Sequence, residues 1–271
     1  MQAQQSMTSR PTSETQPEQP LPTVDAVCGE HGPYKAKVVD MTQFGGRPLV
    51  MSCPTCSAET RAKEEARKAE AAARERQSRV AGLFNRSGIP ARFSDRTFDG
   101  YRATQQGQKI ALAVCRTYAE KWPEKLPGGA SLVMTGAPGT GKTHLACAIG
   151  SAVMASSLSS CLFMTVSAML RSIKETYRKG SERSEQSAID AFAAPDLLIL
   201  DEVGVQVGSD HEKLLMFEVL NERYQQMQPT ILISNLTVED LEQFLGQRVM
   251  DRYRECGSVL AFDWQSHRGA K

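Results

Sequence analysis

The run GAPGTGKT, residues 136–143, constrains this chain more than any other segment. It is entered through SLVMTG (131–136), which reads as a strand, and left through THLACAIGSAVMASS, which reads as a helix. A strand that turns through glycines into a helix gathers backbone N–H groups at the helix N-terminus and makes an anion cradle. The spacing fits G-x-x-x-x-G-K-[ST] in full, in the strand–loop–helix context that the motif requires. Gly136, Pro138, Gly139, Thr140 and Gly141 are therefore expected to wrap the phosphates of ATP. Lys142 is expected to reach the β- and γ-phosphates, and the Thr143 hydroxyl to ligate Mg²⁺.

Around this loop, short β-rich runs alternate with longer helical ones. SCLFMTVSA reads as a second strand with a helix through MLRSIKETYRKG, DLLILDEV as a third strand, and TILISNL as a fourth. Such alternation predicts an α/β fold, a P-loop NTPase core whose parallel sheet is flanked by helices. The aliphatic run 197–200 ends in Asp201 and Glu202, and carboxylates at a strand tip are unusual for packing alone. With the phosphate loop on a neighbouring strand, Asp201 would complete the Mg²⁺ shell and Glu202 would polarise an attacking water. A strand ending in solvated acids is the plainer alternative. Asn235, at the tip of the fourth strand, would orient the same water, although Ser-Asn also commonly begins a turn.

Length sets the number of units. The 271 residues, 41% hydrophobic and 23% charged, allow one substantial core and a small appendage. A formal net charge of +1 gives no global pull toward nucleic acid or membrane, so any DNA contact must be a local patch. The N-terminus is polar and proline-rich without an apolar signal core, and no stretch approaches 18 consecutive apolar residues. Seven cysteines, an odd number, fit a reducing compartment, and a cytoplasmic protein without a membrane span is expected. Residues 1–24 read as a disordered tail, 25–57 as a small metal-binding domain, 58–82 as a linker or partner-docking helix, and 83–271 as the ATPase domain. The helix is predicted from AETRAKEEARKAEAAARERQSR, whose acids and bases often fall three or four residues apart. An exposed spacer is its alternative reading.

Cys28, His31, Cys53 and Cys56 form C-x₂-H and C-x₂-C halves. Two-residue spacers and a Cys₃His set suit a tetrahedral, structural Zn²⁺. The stretch between the halves reads as a β-hairpin turning near Gly45 and Gly46. A domain this small has little core, so metal binding would supply its folding free energy. Lys35, Lys37 and Arg47 with Tyr34 and Phe44 would alternatively suit a single nucleic-acid strand.

Together the glycine loop, the Asp-Glu strand end and the Ser-Asn strand end resemble an AAA+ ATPase. The segments LFNRSGIPARFSDRTFDGYRA, LDEVGVQ and LGQRVMDRYRECGSVLAFDWQSHR narrow the resemblance to the DnaC family of helicase loaders, and more loosely to the IstB transposition helpers. It runs from about Leu83 to Arg268. It implies an arginine finger at Arg252, acting on a neighbouring subunit's nucleotide, and a sensor arginine at Arg268. It also implies a homo-oligomer when ATP is bound, a hexameric DnaB-type replicative helicase as partner, and single-stranded DNA. Arg248 and Arg252 are four apart and would share a helical face, and a planar guanidinium suits a phosphoryl group. Arg171, Lys174 and Arg178, spaced three and four apart, offer a DNA-facing surface where the resembling loaders have one; an ordinary solvated face is the alternative. The Cys/His head departs from the DnaC pattern, which begins with helices, and looks like an exchanged or added module of the phage type. Three functions are consistent with these features: an ATP-dependent helicase loader in DNA replication, an IstB-like helper of transposition on duplex DNA, or a binding module with incidental ATPase activity.

Overall fold

The structure, a computed structural model, describes residues 21–205 and 209–267. It divides into two compact units, Met1–Arg74 and Glu75–Lys271, with the boundary inside one long helix.

In the first unit β1 (Thr23–Cys28) pairs antiparallel with β2 (Gly32–Val39), and β2 with the two-residue β3 (Leu49–Val50). A 3₁₀ turn at Thr42–Phe44 closes on Gly45, whose φ of 72° lies where a side chain would strain the backbone. The hairpin thus turns where the two glycines predicted. β1 begins inside the stretch expected to be tail, while residues 1–20 of that stretch lie outside the described residues. Apolar burial here is slight. Ala36 and Cys53 are enclosed, but Val27 is 80% and Phe44 83% exposed. α1 (Pro54–Arg86) starts on a proline, whose missing N–H costs nothing at that position, and is longer than its charged stretch alone predicts. None of its residues is fully buried, and exposed pairs such as Arg74–Glu70, 2.7 Å apart, dress its surface.

The second unit continues with α2 (Gln106–Glu120), α3 (Trp122–Lys125), β4 (Ser131–Gly136), α4 (Lys142–Ser157), β5 (Cys161–Thr165), α5 (Val166–Lys174) and α6 (Glu185–Ala193). There follow β6 (Leu197–Val203), α7 (Asp210–Gln225), β7 (Thr230–Ser234), α8 (Val238–Leu245), α9 (Gln247–Cys256) and β8 (Gly257–Phe262). Among the described residues the strands form a five-stranded parallel sheet in the order β5-β6-β7-β4-β8. β8, a strand that the sequence pattern did not reveal, pairs with β4 from Ser131↔Gly257 to Gly136↔Phe262.

Strand alternation sorts the aliphatics onto two faces. Leu132, Met134, Leu197, Ile199, Ile231 and Ile233 face one core with Cys115, Trp122, Leu145 and Ile149 of α2, α3 and α4. Val133, Leu198, Leu200 and Leu232 face the other, with Met169, Ile173, Val219, Leu241 and Met250 from α5, α7, α8 and α9. Each such aliphatic side chain contributes about 1.5–3 kcal/mol on burial. The last turns of α1 join the first core through Leu83 and Phe84, and Arg76 donates to the carbonyls of Ala155 and Ser156 at 2.8 Å each. A cation there satisfies the exposed carbonyl end of α4. No helix among the described residues is long and apolar enough to cross a membrane.

At the other end of the sheet, Arg223 of α7 is fully buried. Its guanidinium donates to the carbonyls of Phe192, Ala193, Pro195 and Pro229 and to the Thr230 hydroxyl, at 2.5–3.1 Å. Burial lowers its pKa to about 10, so it stays charged near neutral pH. It ties the end of α6 and the starts of β6 and β7 together. Arg223→Met removes every donor while keeping most of the volume, so the carbonyls are left dry. Urea unfolding followed by near-UV circular dichroism should show a loss of about 3 kcal/mol or more.

Candidate functional site

The C-terminal ends of β4, β7 and β6 lie side by side, the crevice where parallel α/β sheets bind ligands. Gly136 ends β4, Asn235 follows β7, and Asp201 and Glu202 lie in the last residues of β6. β7 stands between β4 and β6, so the acidic strand is not the immediate neighbour of the loop strand as expected. Even so, the loop and the acid meet. Helix α4 starts at Lys142, and the Thr143 hydroxyl donates to Asp201 Oδ2 at 2.9 Å. Asp201 Oδ1 accepts the Glu202 N–H at 2.7 Å. Burial pushes the Asp201 carboxyl up from its ordinary value, against the opposing pull of those two donors and of Lys142. Two oxygens 2.9 Å apart match the cis edge of an octahedral oxygen shell with arms of about 2.0–2.1 Å, so the pair fits a hard divalent cation.

The glycine loop alternates in hand. Gly136, Gly139 and Gly141 have φ of 124°, 81° and 98°, conformations that turn successive N–H groups into a concavity. Lys142 is 4% exposed and donates to the carbonyls of Gly136 and Ala137 at 2.5 and 2.9 Å. Pro138, Gly139, Gly141, Lys142 and Thr143 line a cleft of about 460 Å³ together with Asp201, Glu202 and Asn235. Thr140 is fully buried behind it.

Glu202 has a φ of 63°, rare for a residue with a side chain. The register of β6 on β7 shifts between Leu200 and Val203, a bulge that gives β6 an extra residue at this point. Bulges re-aim side chains, and here the result is an exposed glutamate on the cleft wall beside a half-buried aspartate.

Pro90, Arg92, Phe93 and Arg96, around the 3₁₀ turn Ala91–Phe93, form another wall that motif reading missed. The signal was present in GIPARF. Gly88 has a φ of 67°, and a Cβ there would meet the Phe163 carbonyl oxygen at 2.5 Å. The Phe163 N–H donates to Ser87 O at 2.6 Å, which lays this segment along β5 and aims the turn at the cleft. Arg92, Arg96 and Lys142 give the cleft a cationic complement to a polyphosphate.

Arg252 lies elsewhere. On α9, its Nη1 donates to Asn221 Oδ1 at 2.6 Å, and its guanidinium stacks 4.8 Å from the Tyr224 ring centroid. With Arg248 it lines a separate groove of about 420 Å³. Arg268 lies outside the described residues. Arg171, Lys174 and Arg178 do not share one helix. α5 stops at Lys174, a 3₁₀ turn covers Glu175–Tyr177, and Arg178 is extended. Lys174 is also paired with Glu212.

The Cys/His cluster belongs to the first unit. The donor atoms of Cys28, His31, Cys53 and Cys56 all lie within 4.8 Å of one another. Cys28 Sγ is 3.4 Å from Cys56 Sγ and 3.7 Å from His31 Nδ1, and His31 Nδ1 is 3.3 Å from Cys56 Sγ. A tetrahedron with arms of about 2.0–2.3 Å has edges of about 3.3–3.8 Å, so Cys28, His31 and Cys56 form one such face, with Cys53 within 4.8 Å as the fourth donor. His31 Nε2 faces Glu59 at 3.3 Å, the outer partner that fixes a ligating imidazole. Backbone N–H groups of Glu30 and His31 hold the Cys28 thiol down to about 6, while that neighbour drives Cys56 up to about 12. A bound cation would favour the deprotonated form of these thiols, since thiolates are the ligands.

A glycine cradle, a hydroxyl–carboxylate pair and a glutamate at the rim of this parallel sheet define an AAA+ ATPase core. Comparison with known proteins agrees. The chain belongs to the family of IstB-like ATP binding proteins, whose model matches residues 67–253. It is 36% identical over 201 residues to the replicative helicase loader DnaC of Escherichia coli K12, covering 73% of this chain and 80% of that one. Among solved structures it resembles the DnaC helicase loader (TM-score 0.57, 24% identity, 64% of this chain and 99% of that one). It also resembles DnaI (TM-score 0.54, 20% identity, 64% and 93%).

At Gly141 a Cβ would meet Tyr101 Cε2 at 2.6 Å, and the φ of 98° disfavours any side chain. Gly141→Ala should therefore weaken ATP binding at least about tenfold by equilibrium dialysis, because the loop must leave its cradle shape.

Proposed function

We propose that this protein is an ATP-dependent loader that binds a DnaB-type replicative helicase and delivers it onto single-stranded DNA during replication initiation. The observation that carries this reading is the 36% identity over 201 residues to a protein named replicative helicase loader DnaC. The glycine loop and Lys142 would hold the triphosphate, with Thr143 and Asp201 holding Mg²⁺. That ion supplies charge neutralisation at the phosphoryl oxygens. Glu202 polarises the attacking water and Asn235 orients it.

Arg252 acts on the nucleotide of the next subunit in a homo-oligomer. Its position in a groove separate from the cleft of its own chain supports this, since it is unavailable there and preset by Asn221 and Tyr224. Arg268 would touch the same phosphates from within the chain, as the family resemblance implies. Residues 25–57 are a Zn²⁺-binding head, a reading supported by the convergence of its four donors within 4.8 Å of one another, and with residues 58–82 they dock the helicase. Arg171, Lys174 and Arg178 contact DNA from the end of α5 and the segment after it.

The IstB-like family description favours a second reading, a transposition helper on duplex DNA. ATP-dependent filaments on duplex, without helicase delivery to single strands, would select it.

Arg252→Ala should keep the ATP dissociation constant while DNA-stimulated hydrolysis falls by about a hundredfold or more. Wild-type turnover in that variant would remove the trans-acting role. Purified full-length chain should carry about one equivalent of zinc, and Cys53→Ser should lose it together with helicase capture while still binding ATP. Capture by metal-free protein at wild-type strength would separate the head from docking.

A further inference from the structure

The phosphate loop is fastened from behind by two segments of the ATPase unit that lie far apart in sequence. The Thr140 carbonyl accepts the indole N–H of Trp264 at 2.9 Å and the hydroxyl of Tyr101 at 3.2 Å. The preceding carbonyl, of Gly139, accepts the backbone N–H of His267 at 3.0 Å. Trp264 and Tyr101 are themselves enclosed, at 6% and 8% exposure. The Trp264 ring packs 4.8 Å from that of Phe262, and a Cβ on Gly107 would come within 3.1 Å of it. Gln108, 2% exposed, meets His267 Nε2 at 3.2 Å while its Oε1 accepts from Thr104 and Gln105. Residues 101–108 and 262–267 therefore converge on two successive peptide groups of the loop.

A trans peptide points its C=O and its N–H in opposite directions. Fixing the carbonyls of Gly139 and Thr140 on the outer side turns the N–H groups of Thr140 and Gly141 the other way, toward the cleft that Gly139 and Gly141 line. We propose that Trp264 and Tyr101 are positioning residues of the phosphate loop, holding it in its anion-binding shape before a triphosphate arrives. The inference rests on the reading of this cleft as the ATP site. A preset cradle does not have to order itself on binding, and the cost of ordering is subtracted from affinity. Because both donors share one acceptor, losing one leaves the carbonyl bonded. Losing both leaves it dry and free to rotate.

The test uses the full chain with Trp264→Phe, Tyr101→Phe and the double variant; Tyr101→Phe removes only a hydroxyl, and Trp264→Phe keeps an aromatic ring while removing the indole N–H and part of the packed area. Each single change should raise the ATP dissociation constant by about three- to tenfold, and the double by more than the product of the singles. KM for ATP should rise by a larger factor than kcat falls, with the melting temperature of the nucleotide-free protein reported alongside. A double variant that binds ATP as tightly as the parent overturns the proposal, as does an affinity loss that only tracks a lost fold. A second measurement needs no substitution. Of the two tryptophan indole N–H signals in the ¹⁵N-labelled chain, one should shift on saturation with ATP. If ATP binds and neither signal responds, the clasp is not coupled to the site. If the parent binds no ATP, the nucleotide reading itself fails instead.

Discussion

The hydrogen bond from Thr143 to Asp201 joins the two halves of this cleft, and the architecture around it is what makes that contact reachable. The threonine belongs to the first turn of α4 and the aspartate to β6, with all of β7 between their strands. Only a twisted parallel sheet with α4 starting at the crevice brings them within 2.9 Å. The intervening strand puts Asn235 between the loop and the acids, so one cleft gathers an anion cradle, two carboxylates and an amide. The aliphatic faces of β4, β6 and β7, buried against helices on both sides, hold this spacing fixed.

Much of this was readable from local patterns. GAPGTGKT needs no distant residue to declare itself, because the glycines and the lysine act within eight consecutive positions. The Asp-Glu pair and Asn235 were readable because polar residues close apolar runs. Strand order was not, since it depends on which crossover each helix makes. β8 escaped because it follows α9 without a turn-forming loop and is only partly buried at the sheet edge. The turn bearing Arg92 and Phe93 escaped for another reason: its place in the cleft follows from pairing with β5, which no periodicity announces. The cations near α5 read as one stripe because spacing alone assumes a helix, and the helix stops at Lys174.

The first unit obeys a different economy of forces. Among its described residues Ala36 and Cys53 are the enclosed apolar side chains while Val27 and Phe44 are open to water, so apolar burial there is small. Four donor atoms drawn to one point, with Glu59 behind the imidazole, are the organising feature instead. In a unit with so little apolar burial, an ion held at that point would contribute directly to the folding free energy.

Arg223 gives the sheet a polarity of stiffness. Its charge is sealed among carbonyls at the edge where β6 and β7 begin, while the glycines and the bulge sit at the edge where they finish. The bonds that anchor the strands thus lie apart from the loops that line the cleft, so the loop sequence can vary without touching the anchor.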